Sequence, residues 1–232
     1  MRPRRFYAKA EAAAATGGFA VLLDDRPART PQNRPLLLPT LALAQLLAAE
    51  WAAQGEKIVY DDMPATRLAH TALDGVAVDR GAVVDGFARF AESDLLCYFA
   101  DHPVSLVGRQ ETLWIPLLDW ARDGPELRFV RTTGIAHVAQ PLETLRGVVA
   151  IGAAADNFSL AGLAFGAALF GSAILALALR AGRLNAHEAM ATARLDEIFQ
   201  EARWGVDAES ANRADLMATD AAMLERWFLA LR

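Results

Sequence analysis

Three pairs of adjacent carboxylates, Asp24-Asp25, Asp61-Asp62 and Asp196-Glu197, are the groups in this sequence best spaced for acid–base chemistry or charged recognition. Adjacent acids on turns and helices are ordinarily solvated, so each pair must be weighed against that simpler role. The other reactive side chains form no familiar constellation. His70, His102, His137 and His187 make no i, i+4 pair, and Cys97 has no second thiol with which to build a zinc site or an internal disulfide. A Gly-rich phosphate loop, a dinucleotide fingerprint and a nucleophile elbow are all missing. No metal and no cofactor are therefore expected. The single cysteine lies in an apolar stretch, where it reads as a buried small residue of a protein from a reducing compartment.

Asp196-Glu197 carries the most information of the three pairs. Asn185 followed by Glu188 is a capping-box pattern that opens a helix expected to run to about Arg203, with Trp204-Gly205 as its stop. On that helix Leu195, Ile198, Phe199 and Ala202 share the face expected to meet the core. Glu197 lies opposite, with Ala186, Met190, Ala193 and Trp204. An acid among small apolar groups and an indole suits a protein contact surface, because aromatic anchors dominate interfaces. Glu197, Asp196, Trp204 and Met190 are thus candidate partner-binding residues, with no catalytic residue assigned. A purely structural reading packs Trp204 beneath the next helix and pairs Glu197 with Arg194 or Arg203.

The elements that must position this face divide the chain by pattern. Up to about residue 60, short strands are expected at Arg5 to Ala10, Gly18 to Asp24, Ala28 to Thr30 and Pro35 to Leu38, with Gly17-Gly18 and Asp24-Asp25 as turns. Thr40 suits the N-cap of a helix from Leu41 to Gln54, and Ile58 to Tyr60 could return to the sheet. Beyond Pro64 helices are expected near 64 to 78, 80 to 92, 103 to 122 and 141 to 153, and Asp207 suits the cap of the last. The organisation expected is a small domain over 1–62, which a strand at 127–132 could join, and a helical domain over 63–232. Residues 157–179 carry no charged side chain, and Phe158 to Leu179 is long enough to cross a bilayer core of about 30 Å. Its bulky residues fall in two sectors separated by gaps of small ones, including Gly162 and Gly166. That relief suits packing against several helices rather than lipid, so one buried central helix is expected, with grooves for neighbours such as Ala186 to Arg203.

Bulk properties exclude several roles. With 232 residues, 54% of them hydrophobic, the chain can bury a substantial core. A net charge of -5 and a pI near 5.4 argue against a nucleic-acid binder. The basic start from Met1 to Arg5 has no apolar segment behind it, so no secretory signal is expected.

The motifs Gly18-Phe19-Ala20-Val21-Leu22-Leu23-Asp24, Arg29-Thr30-Pro31, Glu50-Trp51, Met63-Pro64-Ala65-Thr66-Arg67-Leu68-Ala69 and Ser93-Asp94-Leu95-Leu96-Cys97-Tyr98 follow one another along the chain. Trp114, Pro116-Leu117-Leu118-Asp119-Trp120 and Arg194-Leu195-Asp196-Glu197 before Trp204-Gly205 complete the series. This ordered set resembles the ATP synthase assembly chaperones that bind the free alpha subunit of the F-type catalytic head. The resemblance implies an α+β fold, with a small amino-terminal α+β domain bearing a short antiparallel sheet and a larger all-α orthogonal helical bundle. It implies no enzymatic activity and no cofactor. The implied partner is the alpha subunit; a monomer that neither binds nucleic acid nor inserts stably into a membrane is expected. The implied location is the bacterial cytoplasm, or the mitochondrial matrix for a eukaryotic chain. Two other readings compete: a hydrolase using Glu197 as base, and an assembly factor anchored in the membrane by residues 157–179.

Overall fold

The computed structural model describes residues 3–232 and divides them into two compact units. One unit contains the chain up to Arg80 together with Asp156–Gly162 and Arg226–Arg232; the other contains Gly81–Ala155 and Leu163–Glu225. The fold is α+β, a small antiparallel sheet followed by helices.

In the first unit β1 (Ala10–Ala15) pairs antiparallel with β2 (Gly18–Leu23), from Ala10 opposite Leu23 to Ala15 opposite Gly18. Strand β2 also pairs with β3 (Arg26–Pro27) and β4 (Leu37–Leu38). The first strand lies further along the chain than the expected Arg5 to Ala10, because an alanine-rich run has little strand preference of its own and is drawn into the ladder by β2. A Cβ on Gly18 would stand 2.5 Å from the Leu38 carbonyl oxygen, so the close approach of β4 requires glycine there. Asp24 and Asp25 both have positive φ and form the two-residue turn into β3. The Asp24 carboxylate accepts the Ala8 and Lys9 N–H groups, which holds it below the ordinary aspartate range. This first acidic pair is a turn device. Ile58 returns to the segment before β1 rather than to the main sheet, its N–H donating to Pro3.

Helix α1 (Leu41–Ala52) begins as expected, with the Thr40 hydroxyl accepting the Leu43 N–H. It packs on β1 and β2 and buries Leu43, Leu47 and Trp51. Beside Trp51, Glu50 reaches the start of α2 (Pro64–His70), where its two oxygens accept the Ala65 and Thr66 N–H groups at 2.8 and 2.7 Å. Partial burial raises the Glu50 pKa against these bonds. The Glu50-Trp51 motif therefore joins a helix cap to a core aromatic. After α2 the backbone widens into one π-helical stretch, Thr71–Val76. Asp74 in that stretch accepts the Thr30 hydroxyl at 2.8 Å and lies beside Arg34.

The second unit contains α3, which begins with Arg80 at the unit boundary and ends at Glu92, the two-residue β5 (Tyr98–Phe99) and α4 (Val104–Asp123). Thr132–Thr133 form β6, parallel to β5. The 127–132 segment thus supplies no strand to the amino-terminal sheet. Helix α5 (Leu142–Ala154) follows.

The charge-free run is two helices, not one: α6 (Asn157–Phe170) and α7 (Ala173–Ala181), of 14 and 9 residues. At about 1.5 Å per residue the longer spans roughly 21 Å. No helix among the described residues is long and apolar enough to cross a membrane. The break has a clear cause. Gly171 takes φ +65°, and the Ser172 hydroxyl accepts the Leu175 N–H as the cap of α7. Asp94, entirely buried, then closes the junction: it accepts the Ser172 hydroxyl at 2.7 Å, the Ile174 N–H at 3.0 Å and the Leu96 N–H at 3.1 Å. The glycines of the expected grooves do meet neighbours. In the first unit a Cβ on Gly162 would come within 2.8 Å of Phe228 and 3.0 Å of Trp227. In the second unit a Cβ on Gly166 would come within 2.8 Å of Leu224 and 3.2 Å of Ala176. Phe228, Trp227 and Leu224 belong to the last helix, α10 (Ala208–Ala230), rather than to the Ala186 to Arg203 segment.

Candidate partner-binding surface

The segment expected as one helix from Ala186 is also two: α8 (Ala186–Ala193) and α9 (Leu195–Trp204). The capping box forms as expected, since Asn185 accepts the Glu188 N–H and Glu188 accepts the Asn185 N–H. The interruption at Arg194 comes from another helix. The buried Trp114 indole, on α4, donates to the Thr192 carbonyl at 3.2 Å. In an unbroken helix that carbonyl would accept the Asp196 N–H. Arg194 instead bends to φ -100° and ψ 21°, and Leu195 starts a new helix with both acids in its first turn, where a helix favours negative charge.

The two acids then have different fates. Asp196 is part-buried and accepts the Gln110 side-chain N–H at 2.7 Å. Gln110 is itself fully buried and accepts the Ala100 N–H at 2.8 Å through its oxygen. Asp196 is thus fixed to the interior by a two-bond relay. Glu197 is exposed, and no ion pair joins it to another of the described residues. Arg194 pairs with Glu201 at 2.6 Å, and Glu201 also accepts the Ser210 hydroxyl. Arg203 lies over the Phe199 ring at 4.3 Å, with Arg109 at 5.4 Å from the same ring. Neither Arg194 nor Arg203 neutralises Glu197.

Trp204 ends α9 with 78% of its surface exposed, and Gly205 at φ +87° turns the chain away. Val206 beyond it is 55% exposed, and Asp207 caps α10 through the Glu209 and Ser210 N–H groups. Trp204 therefore packs beneath no helix. Of the expected face, Glu197 and Trp204 are exposed on one short helix and Asp196 anchors that helix. Met190 lies on α8, beyond the break, and is buried at 7% exposure. The wheel that placed Met190 beside Glu197 assumed an unbroken helix, and the interruption at Arg194 removes that alignment. Ile198, expected on the core face, is 36% exposed. Gln110 belongs to no motif or charged cluster of the sequence. A glutamine in an otherwise apolar helical stripe was its only signal in the sequence.

The shifted carboxyl groups lie elsewhere. The carboxyl groups raised by burial are Glu50 and Asp94, and their oxygens receive backbone or hydroxyl donors as helix caps. Glu197 lines neither the cavity beside Arg122 nor the one beside Glu111. Among the described residues, no three His, Cys, Asp or Glu side chains come together as a metal site.

A small antiparallel sheet followed by helices, the last but one of them exposing Glu197 and Trp204, is an α+β architecture that the comparisons identify. Residues 4–122 match the family described as ATP12 chaperone protein. Over 99% of its length the chain is also similar to the crystal structure of Atp12 from Paracoccus denitrificans, with 40% identity, 99% of that chain covered and a TM-score of 0.93. An aspartate-to-lysine mutant of the Paracoccus protein matches at 40% identity and TM-score 0.93, over 99% of this chain and 98% of that one. A chaperone candidate from Agrobacterium tumefaciens matches at 41% identity and TM-score 0.93, over 99% of this chain and 87% of that one. The chain belongs to the ATP12 chaperone family, the assembly chaperones of ATP synthase.

Proposed function

We propose that this chain binds the unassembled alpha subunit of the F-type catalytic head and shields the surface that later meets beta. It acts as a monomer, without catalysis, where alpha subunits await assembly; in a bacterium this is the cytoplasm. The observation that carries this reading is the exposed pair on α9. Trp204 offers a large apolar anchor, and Glu197 offers a carboxylate with no ion pair among the described residues. Asp196 and Gln110 hold the helix that presents them. A chaperone must cover an aggregation-prone surface and still give way to the proper partner. An exposed helix with one aromatic anchor and one charge suits that demand better than an extensive apolar face.

Coexpression with an F-type alpha subunit tests the reading: soluble alpha should rise and copurify with the chain. Glu197→Lys should reduce the captured alpha roughly tenfold while the urea midpoint stays in place. Trp204→Ala should act in the same direction. Alpha that stays insoluble with the wild-type chain and forms no complex would refute the proposal.

A further inference from the structure

Helix α4 and the segment that follows it form a trough in the second unit, separate in sequence from α9. Val107, Glu111, Ile115, Leu118 and Arg122 recur along α4 at helical spacing and line two depressions of about 260 and 360 Å³. Arg131 lines both, so the depressions adjoin. The stripe from Val107 to Arg122 spans roughly 22 Å at the helical rise. That length matches about six or seven residues of extended chain.

The opposite wall is firmly held. Gln140 bonds both the N–H and the carbonyl of Val130 at 2.8 Å, and the Thr144 hydroxyl donates to the Arg128 carbonyl at 2.7 Å. Charge is uneven along the trough. Arg122 is paired with Asp119 and Asp123, each at 2.7 Å. Arg128 has no ion pair among the described residues, although its charge helps to hold the nearby Asp123 carboxyl down; Arg131 has none either and lies 5.6 Å from the Phe99 ring centre. The Arg128 and Arg131 guanidinium groups thus stand beside an apolar floor of Ile115, Leu118 and Phe129, with the Asp119 and Arg122 pair at its edge. Guanidinium forks favour carboxylates, and the floor between them suits an apolar side chain.

We infer that this trough is a second docking site, which takes an extended client segment with an apolar side chain on the floor and acidic residues at one end. The acidic end lies against Arg128 and Arg131, away from Glu111. The client's part in this inference rests on the proposed function above, whereas the peptide chemistry can be tested without it. The probe is a fluorescein-labelled heptapeptide with glutamates at one end and leucines in the remainder, titrated with the full chain. A lysine-for-glutamate peptide and inorganic phosphate serve as the other arms.

Binding of the acidic peptide alone, weakened roughly tenfold or more in Arg128→Gln/Arg131→Gln at unchanged melting temperature, is the expected result. Should the double variant unfold because Arg131 leaves Phe99, the single Arg128→Gln, which disturbs no ring, carries the same test. The inference is overturned if the wild-type chain does not bind the acidic peptide, if the variant binds it equally well, or if phosphate at matched concentration displaces it. Normal capture of alpha subunit without peptide binding would sink the trough and spare the alpha-subunit reading. Peptide binding without alpha capture by any form of the chain would do the reverse.

Discussion

Two helix starts in the second unit use carboxylates in opposite ways. At the start of α7, Asp94 is entirely buried and both its oxygens accept hydrogen bonds from the junction it closes. At the start of α9, Asp196 performs a milder version of that work through Gln110, while its neighbour Glu197 faces solvent without an ion pair among the described residues. Both acids stand at a helix N-terminus, where the free N–H groups favour a carboxylate, but at Asp94 burial opposes that preference. An acid's internal bonds, and not its adjacency in sequence, separate a carboxylate fixed to the interior from one left at the surface.

The sharpest way to break this contrast is Asp94→Ala. It strands the Ser172 hydroxyl and the Ile174 and Leu96 N–H groups in the interior, and should cost about 3–4 kcal/mol in urea denaturation. A loss below about 1 kcal/mol would show that the junction does not depend on this carboxylate.

A pH series probes the same group. Burial raises the Asp94 pKa from 3.8 to about 6, against the bonds from Ser172 and the backbone. The folded form therefore holds its proton to higher pH than the unfolded form. Its contribution to stability is greatest at low pH and declines as pH rises from 3.8 to about 6. The decline amounts to about 3 kcal/mol. Asp94→Asn should remove this component, which urea midpoints across that interval in both proteins would reveal; parallel curves would refute the assignment.

Asp196→Ala should fall in the middle. Removing its carboxylate leaves the buried Gln110 N–H unpaired and should cost about 1–2 kcal/mol, again read from urea midpoints. Glu197→Lys should have the smallest effect, within about 0.5 kcal/mol, since no internal bond is lost. A large loss there would return Glu197 to a structural role and erase the contrast.

Much of this architecture is legible locally. Gly18 to Leu23 reads as a strand, Thr40, Asn185 and Asp207 act as the caps their positions suggest, and α3, α4 and α5 begin within a residue or so of the expected sites. Each of these features depends on neighbours within one or two helical turns. The candidate surface was legible only in part. Glu197 and Trp204 are exposed whereas Met190 is buried, because helical periodicity carries no information about where another helix will interrupt it.

Strand and helix types, most of the caps and the family motifs follow from residue order alone, because short-range hydrogen bonds and side-chain periodicity set them. That order also leaves the chain without a phosphate loop or nucleotide fingerprint. Tertiary structure decided where the two long apolar or amphipathic runs break. Asp94 reaches Ser172 across 78 positions to start α7, and Trp114 reaches the Thr192 carbonyl across 78 positions to end α8. It likewise divided Asp196 from Glu197, since only packing brings Gln110 to one of two adjacent carboxylates. Such bonds join residues that no local pattern relates, and the folded chain alone brings them within reach.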